Sequence, residues 1–144
     1  MKSWIKILIG LAIVGMIVAF LGYKFMYNKP HPNYESLNAD FKIGAMDLYN
    51  GFKTDAAAAS QKYNGKIIEI SGVMSNVETV DTLTVAVFAF EDGMFGKQGI
   101  RVTMLPKFNN GMKNYRANEN IVLKGFCSGY NDTDVILEKG SIVK

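Results

Sequence analysis

Between Lys6 and Lys24 the chain carries no charged residue: Ile7 to Tyr23 is a run of seventeen apolar, small or aromatic residues. Wound as a helix at ~1.5 Å per residue, the run reaches about 25 Å, close to the ~30 Å of a bilayer's hydrocarbon core. Trp4 and Tyr23 stand at its ends, where amphipathic rings favour the interface, and Lys6 and Lys24 can snorkel outward to lengthen the span. The expectation is a single-pass membrane anchor over residues 1–26, meeting the lipid through residues 5–23. A cleaved signal peptide starts in the same way, but Ala19-Phe20-Leu21-Gly22-Tyr23 lacks the small-x-small pattern of a cleavage site and holds no cysteine for a lipid. The anchor is therefore expected to be retained as a signal anchor. Lys2, Lys6 and the terminal amine precede the run, against Lys24 and Lys29 after it. That bias predicts a cytoplasmic N-terminus, with the rest of the chain in the periplasm or outside the cell.

The anchor also explains the charge. The chain has a formal net charge of +3, yet residues 1–30 hold four lysines and no acid. The remainder has twelve basic and thirteen acidic residues and is nearly neutral. Long-range attraction of this part to a polyanion is accordingly weak, which argues against nucleic acid as a partner.

Residues 27–39 contain Pro30 and Pro32 among polar neighbours, a composition that favours an extended linker. His31, the one histidine, lies between those prolines with no second metal ligand or catalytic partner nearby, and reads as an incidental linker residue. From Asp40 to Tyr63 the period becomes helical: Ala45, Tyr49, Phe52, Ala56, Ala59 and Tyr63 recur at spacings of three and four. Asn38 or Asp40 can cap the start, Asn64-Gly65 supplies the stop, and Gly51 is a weak point inside.

After Gly65 the pattern is that of strands. The expected strands are residues 66–74, 83–90, 100–104, 121–127 and 135–137, with a turn near Asn76 to Asp81, a long polar crossover from Pro106 to Asn118, and a tight turn at Gly129 to Asp132. Gly72 and Gly125 are placed to allow bends or bulges. The lone Cys127 cannot pair within the chain and reads as a small buried apolar residue. The fold class predicted is mainly β with a preceding helix: one domain over residues 40–144, built as a five-stranded Greek-key barrel of the oligonucleotide/oligosaccharide-binding (OB) type.

The helix end Asp55-Ala56-Ala57-Ala58-Ala59-Ser60-Gln61-Lys62-Tyr63-Asn64-Gly65-Lys66 is followed by Ile68-Glu69-Ile70-Ser71-Gly72-Val73, and later by Val122-Leu123-Lys124-Gly125-Phe126-Cys127-Ser128-Gly129. In these segments the chain resembles the tRNA_anti-like (anticodon-binding-like) OB-fold proteins, many of them small bacterial envelope proteins or lipoproteins, over about residues 45–143. The resemblance implies an OB barrel preceded by a helix, and it carries structural rather than catalytic signatures. The chain departs from the lipoprotein members in lacking a cysteine for acylation.

Function is less sharply marked. Residues 94–126 are the most polarised stretch, with Lys97, Arg101, Lys107, Lys113, Arg116 and Lys124 against Glu119 alone. Phe95, Phe108 and Tyr115 are interleaved with them, a mixture suited to an anionic or stacking ligand. Lys97, Arg101, Lys107, Lys113, Arg116, Lys124, Phe95 and Tyr115 are the candidate ligand-binding residues. No Ser/His/Asp set, metal-ligand spacing or phosphate-cradling glycine loop is present, so neither an enzyme nor a cofactor is expected. The expected activity is that of a membrane-tethered binding module for a peptide, protein or anionic glycan, or alternatively of an assembly subunit in a membrane complex.

Overall fold

The computed structural model describes residues 2–27 and 32–144. Residues 28–31, which include His31 and most of the expected linker, lie outside the described residues. The chain divides into two units, residues 1–32 and 33–144.

The first unit is one helix, α1, Lys2–Tyr27. An eighteen-residue stretch of it has a mean hydropathy of 2.5, and by length and composition the helix is enough to cross a membrane. Every described side chain of α1 is exposed.

The second unit is a seven-stranded sheet with three α-helices, the last of a single turn. β1 (Phe41–Gly44) leads into α2 (Ala45–Thr54) and α3 (Ala56–Tyr63). Then come β2 (Ile67–Met74), β3 (Asn76–Val80), β4 (Leu83–Gly93) and β5 (Gly96–Met104). A 3-10 turn at Pro106–Phe108 and α4 (Asn109–Met112) connect to β6 (Glu119–Tyr130) and β7 (Asp134–Ile142). The order across the sheet is β1-β2-β6-β7-β5-β4-β3, with β1–β2 and β5–β7 parallel and the other pairs antiparallel.

Seven strands replace the five expected from the sequence, for two local reasons. Residues 41–44, expected at the start of the helix, are extended: Phe41 to Gly44 pair with Ile68 to Ser71, and Asp40 uses its carboxylate to accept the Ile67 N–H at 2.9 Å. Residues 76–80, expected as a turn, form β3, and the reversal falls at Asp81-Thr82, where Asp81 takes a left-handed φ of 54°. β2 and β3 are separated by Ser75 alone, yet lie on opposite flanks of the sheet, so the sheet curls until its flanks approach at that residue. Ser75 N–H donates to Val87 O at 2.7 Å although Val87 is already the register partner of Asn76, so two residues face one and the strand bends as a bulge.

Gly72, expected to bend this strand, sits instead in unbroken register opposite Ile121. What it provides is room: a Cβ there would lie 3.0 Å from Ala45 Cβ, so the missing side chain lets α2 approach the sheet. Gly125 does fall at a register shift between β6 and β7.

The expected long helix is interrupted at Asp55, whose φ of −146° is non-helical. Its carboxylate accepts the Ala58 N–H at 3.0 Å and so caps α3, an outlet that a short acidic side chain offers in competition with continued helix. Of the expected stripe, Ala45, Tyr49, Phe52, Ala59 and Tyr63 are buried and Ala56 is exposed, while Leu48 joins the buried face. These residues pack on a core that includes Ile68, Ile70, Phe88, Ile100, Val102, Leu123, Cys127 and Leu137.

Candidate functional site

Strand alternation places Arg101 near the middle of the sheet's outer surface, opposite Val87 on β4 and Ile136 on β7. Its Nη1 donates to Glu78 Oε2 at 2.7 Å and its Nε to Asp134 Oδ2 at 3.2 Å. Partial burial pulls the guanidinium pKa down, and the hydrogen bonds and charges of Glu78 and Asp134 outweigh that and raise it. Asp134 is itself fixed, accepting the Gly99 N–H at 2.9 Å through its other oxygen. This group carries one positive and two negative charges, so its centre is not a spare cation. Glu78 was not singled out from the sequence and Asp134 reads there as a turn residue beside Asp132, because each reaches Arg101 only through strand pairing.

The remaining candidate residues, close in sequence, are spread over the unit. Phe95 and Lys97 lie at the β4–β5 turn, where Met94 and Phe95 are 91% and 93% exposed. Lys107 pairs with Glu35 and lies over the Phe108 ring. Lys124 donates to the carbonyls of Glu35 at 2.7 Å and Leu37 at 2.6 Å. These two lysines hold down the segment that enters the domain, where Tyr34 also packs edge-on against Phe126. From the β4–β5 turn to Lys107 the chain runs the whole of β5, nine residues or roughly 25–30 Å.

Lys113, Tyr115 and Arg116 form the third group, in the connection between α4 and β6. Tyr115 is half-buried against the core and borders a hollow of about 530 Å³ with Ser71, Gly72, Asn120, Ile121, Val122 and Val143. The floor is the outer surface of β2 and β6, where Ser71 faces Val122 and Val73 faces Asn120. Lys113 and Arg116, both exposed, flank Tyr115 in sequence and form no ion pair among the described residues. The phenol ring, the hydroxyl of Ser71 and the carboxamide of Asn120 line one hollow and can hold a hydroxyl-rich group, and the two uncommitted cations neighbour it through Tyr115 in sequence. Tyr115 was legible in the sequence. Ser71 and Asn120 were not, since the β2–β6 ladder brings them together from far apart in the chain.

Cys127 is fully buried, and burial pushes its thiol up to about 11. Among the described residues no three His, Cys, Asp or Glu side chains gather as a metal site.

A family model described as tRNA_anti-like matches residues 1–142. No curated protein matches the chain. Among solved structures, a "putative nucleic acid-binding lipoprotein" from Klebsiella pneumoniae subsp. pneumoniae MGH 78578 is similar, with a TM-score of 0.51 at 16% identity, covering 81% of this chain and 100% of its own. That likeness is one of fold. Two OBody proteins bound to hen egg-white lysozyme, AM3L15 and AM1L10, align with TM-scores of 0.39 and 0.40 at 11% and 10% identity, over 56% and 58% of this chain and 83% of each of theirs.

Proposed function

The chain belongs to the tRNA_anti-like family, and on that premise we propose that it is a membrane-anchored, extracytoplasmic OB-fold binding module for an anionic surface, presented by a protein, a peptide or a glycan. In this reading α1 is a retained single-pass anchor with its N-terminus in the cytoplasm. β2 and β3 together are one bent first strand, β4 to β7 supply the other four strands of a Greek-key barrel closed at Ser75, and β1 is an addition to it. The module performs no catalysis in this proposal.

The observation that carries the reading is the contrast between the two cationic groups. On the outer face of β4 and β5, where OB domains commonly take single strands, Arg101 is already held by two carboxylates. Lys113 and Arg116, which flank Tyr115 in sequence, are exposed and form no ion pair among the described residues, so they remain uncommitted. Single-stranded nucleic acid would need the first face, so the named activity of the Klebsiella protein is the less favoured ligand class here. The exposed Met94-Phe95 turn supports a second reading, an assembly subunit that docks on a membrane partner through that tip.

Full-length protein in nanodiscs, titrated with poly-glutamate, a sulfated glycan and oligo-dT, tests the proposal. Saturable binding of an acidic polymer is expected, weakened at least tenfold by Lys113→Glu with Arg116→Glu and unchanged by Met94→Ser with Phe95→Ser. Preference for oligo-dT with loss in Arg101→Ala would replace it with the nucleic-acid reading. Absence of binding to all three polymers, with stable co-purification of a membrane protein that depends on Met94 and Phe95, would replace it with the assembly reading.

A further inference from the structure

The flank of the sheet formed by β3 has no neighbour beyond β4. In the β3–β4 hairpin Val80 and Leu83 flank the two-residue turn and Asn76 faces Val87, which makes residues 76, 78 and 80 the ones that exchange backbone hydrogen bonds with β4. The N–H and C=O groups of Val77 and Thr79 therefore point away from the sheet, and neither residue makes any other backbone hydrogen bond among the described residues. An edge of this kind is a template for one more strand, and natural edges are usually blunted by charge, proline or a cover. This one carries no proline and no lysine, and Val80 on it and Leu83, its partner across the turn, are exposed.

The charges at the two ends of the edge identify the occupant. At the start of β3, the turn ahead of β6 comes alongside: Asn118 N–H donates to Met74 O at 2.8 Å, and this turn carries Arg116. At the far end stands Asp81. Neither Arg116 nor Asp81 forms an ion pair among the described residues. An edge that is basic at one end and acidic at the other is complementary to itself when turned through 180°. We propose that β3 pairs antiparallel with β3 of a second copy of this chain, about a two-fold axis at Glu78. Val77 then exchanges hydrogen bonds with the other copy's Thr79, Asn76 lies opposite the other Val80, and Arg116 meets the other Asp81. The two Glu78 carboxylates that approach at the axis are each already bound to their own Arg101. The pairing is isologous and so closes at two copies. It shares Arg116 with the ligand reading above, and the cysteine-pair register test, which leaves Arg116 unchanged, is decided apart from that reading.

Disulfide trapping in native membranes with the full-length chain tests the register. Asn76→Cys and Val80→Cys are expressed as separate chains or together. The arrangement puts residue 76 opposite 80 as a non-hydrogen-bonded pair, a spacing a disulfide can bridge, and keeps each residue about 14 Å from its own copy. The expected result is a mixed disulfide dimer when both chains are present, at least fivefold over either alone. Equal trapping of Asn76→Cys by itself, or no dimer in the mixture, overturns the proposal. The charges are tested on the same pair: Arg116→Asp or Asp81→Arg alone should lower the yield severalfold, and the two together should restore it. Yields indifferent to both changes would also overturn the assignment. Thr79→Pro, which removes only an outward N–H, is expected to abolish trapping while leaving the melting transition in place. Trapping that persists in Thr79→Pro counts against the edge.

Discussion

α1 and the β unit are both rich in apolar residues, but they dispose of them in opposite ways. In α1 Trp4, Leu8, Phe20 and the rest are exposed, and nothing lies within 4 Å of a Cβ built on Gly10, Gly15 or Gly22. In the β unit Phe88, Ile100 and Leu137 are fully enclosed, and a Cβ on Gly99 would fall 1.7 Å from Phe88 O. One region leaves its apolar side chains exposed, and the other encloses them. The difference teaches that apolar content alone says little: continuity over seventeen residues marks the first, and interruption at strand period marks the second.

Substitutions at matched places should expose this contrast. The largest effect is expected from Phe88→Ala, a loss of about 3–5 kcal/mol from the β unit, seen as a lowered denaturation midpoint with α1 still directing the chain to the membrane fraction. A stability unchanged within 1 kcal/mol would mean that Phe88 is not central to the core. Next, Ile13→Asp should cost roughly 2.5–3.5 kcal/mol of insertion free energy and move protein out of the carbonate-resistant membrane fraction, with the unfolding of the β unit unaltered. Retention in that fraction would break the anchor reading. The third test is a single change in both regions: Gly99→Ala should destabilise the β unit by about 1–3 kcal/mol or more, because backbone must shift, whereas Gly15→Ala should leave its melting curve superimposable.

The smallest effect concerns Cys127, and it is confined to alkaline solution. Its folded thiol titrates near 11 against an ordinary 9.0. The folded state therefore keeps a proton that the unfolded chain gives up, and this contribution to stability is complete below pH 9 and is lost as pH rises towards 11. Comparison with Cys127→Ala by denaturant titration from pH 7 to pH 11 should show the natural protein losing more stability over that window. At pH 7.5 the thiol should resist iodoacetamide until the chain unfolds. Rapid labelling of the native protein would contradict the burial.

Much of the fold was legible from local signals. The buried helical positions between Ala45 and Tyr63, though not the break at Asp55, the stop at Asn64-Gly65, where Gly65 has a φ of +76°, and the ladder positions of β2, β4, β5, β6 and β7 follow from periodicity and turn chemistry acting over a few residues. β1 was not legible, because Phe41-Lys42-Ile43-Gly44 has too few residues for a period and becomes a strand only by lying beside β2. β3 was missed because Asn76 and Thr79 are ordinary turn residues until the bulge at Ser75 turns them onto β4. The candidate site was less legible still. Six cations within 94–126 look like one patch in sequence, whereas one is neutralised by Glu78 and Asp134 and two are used to hold residues 35–37.

The sequence by itself therefore determined the two-part character of this protein: an uninterrupted apolar helix, then a β-rich unit of near-neutral charge. Composition and period act along the chain, so they can be read along it. Only the tertiary structure decided which charges remain available, where the sheet bends and which edge stays open. Those properties depend on partners contributed by distant segments, as when Glu78 and Asp134 meet Arg101, and strand register rather than sequence proximity brings such partners within hydrogen-bonding reach.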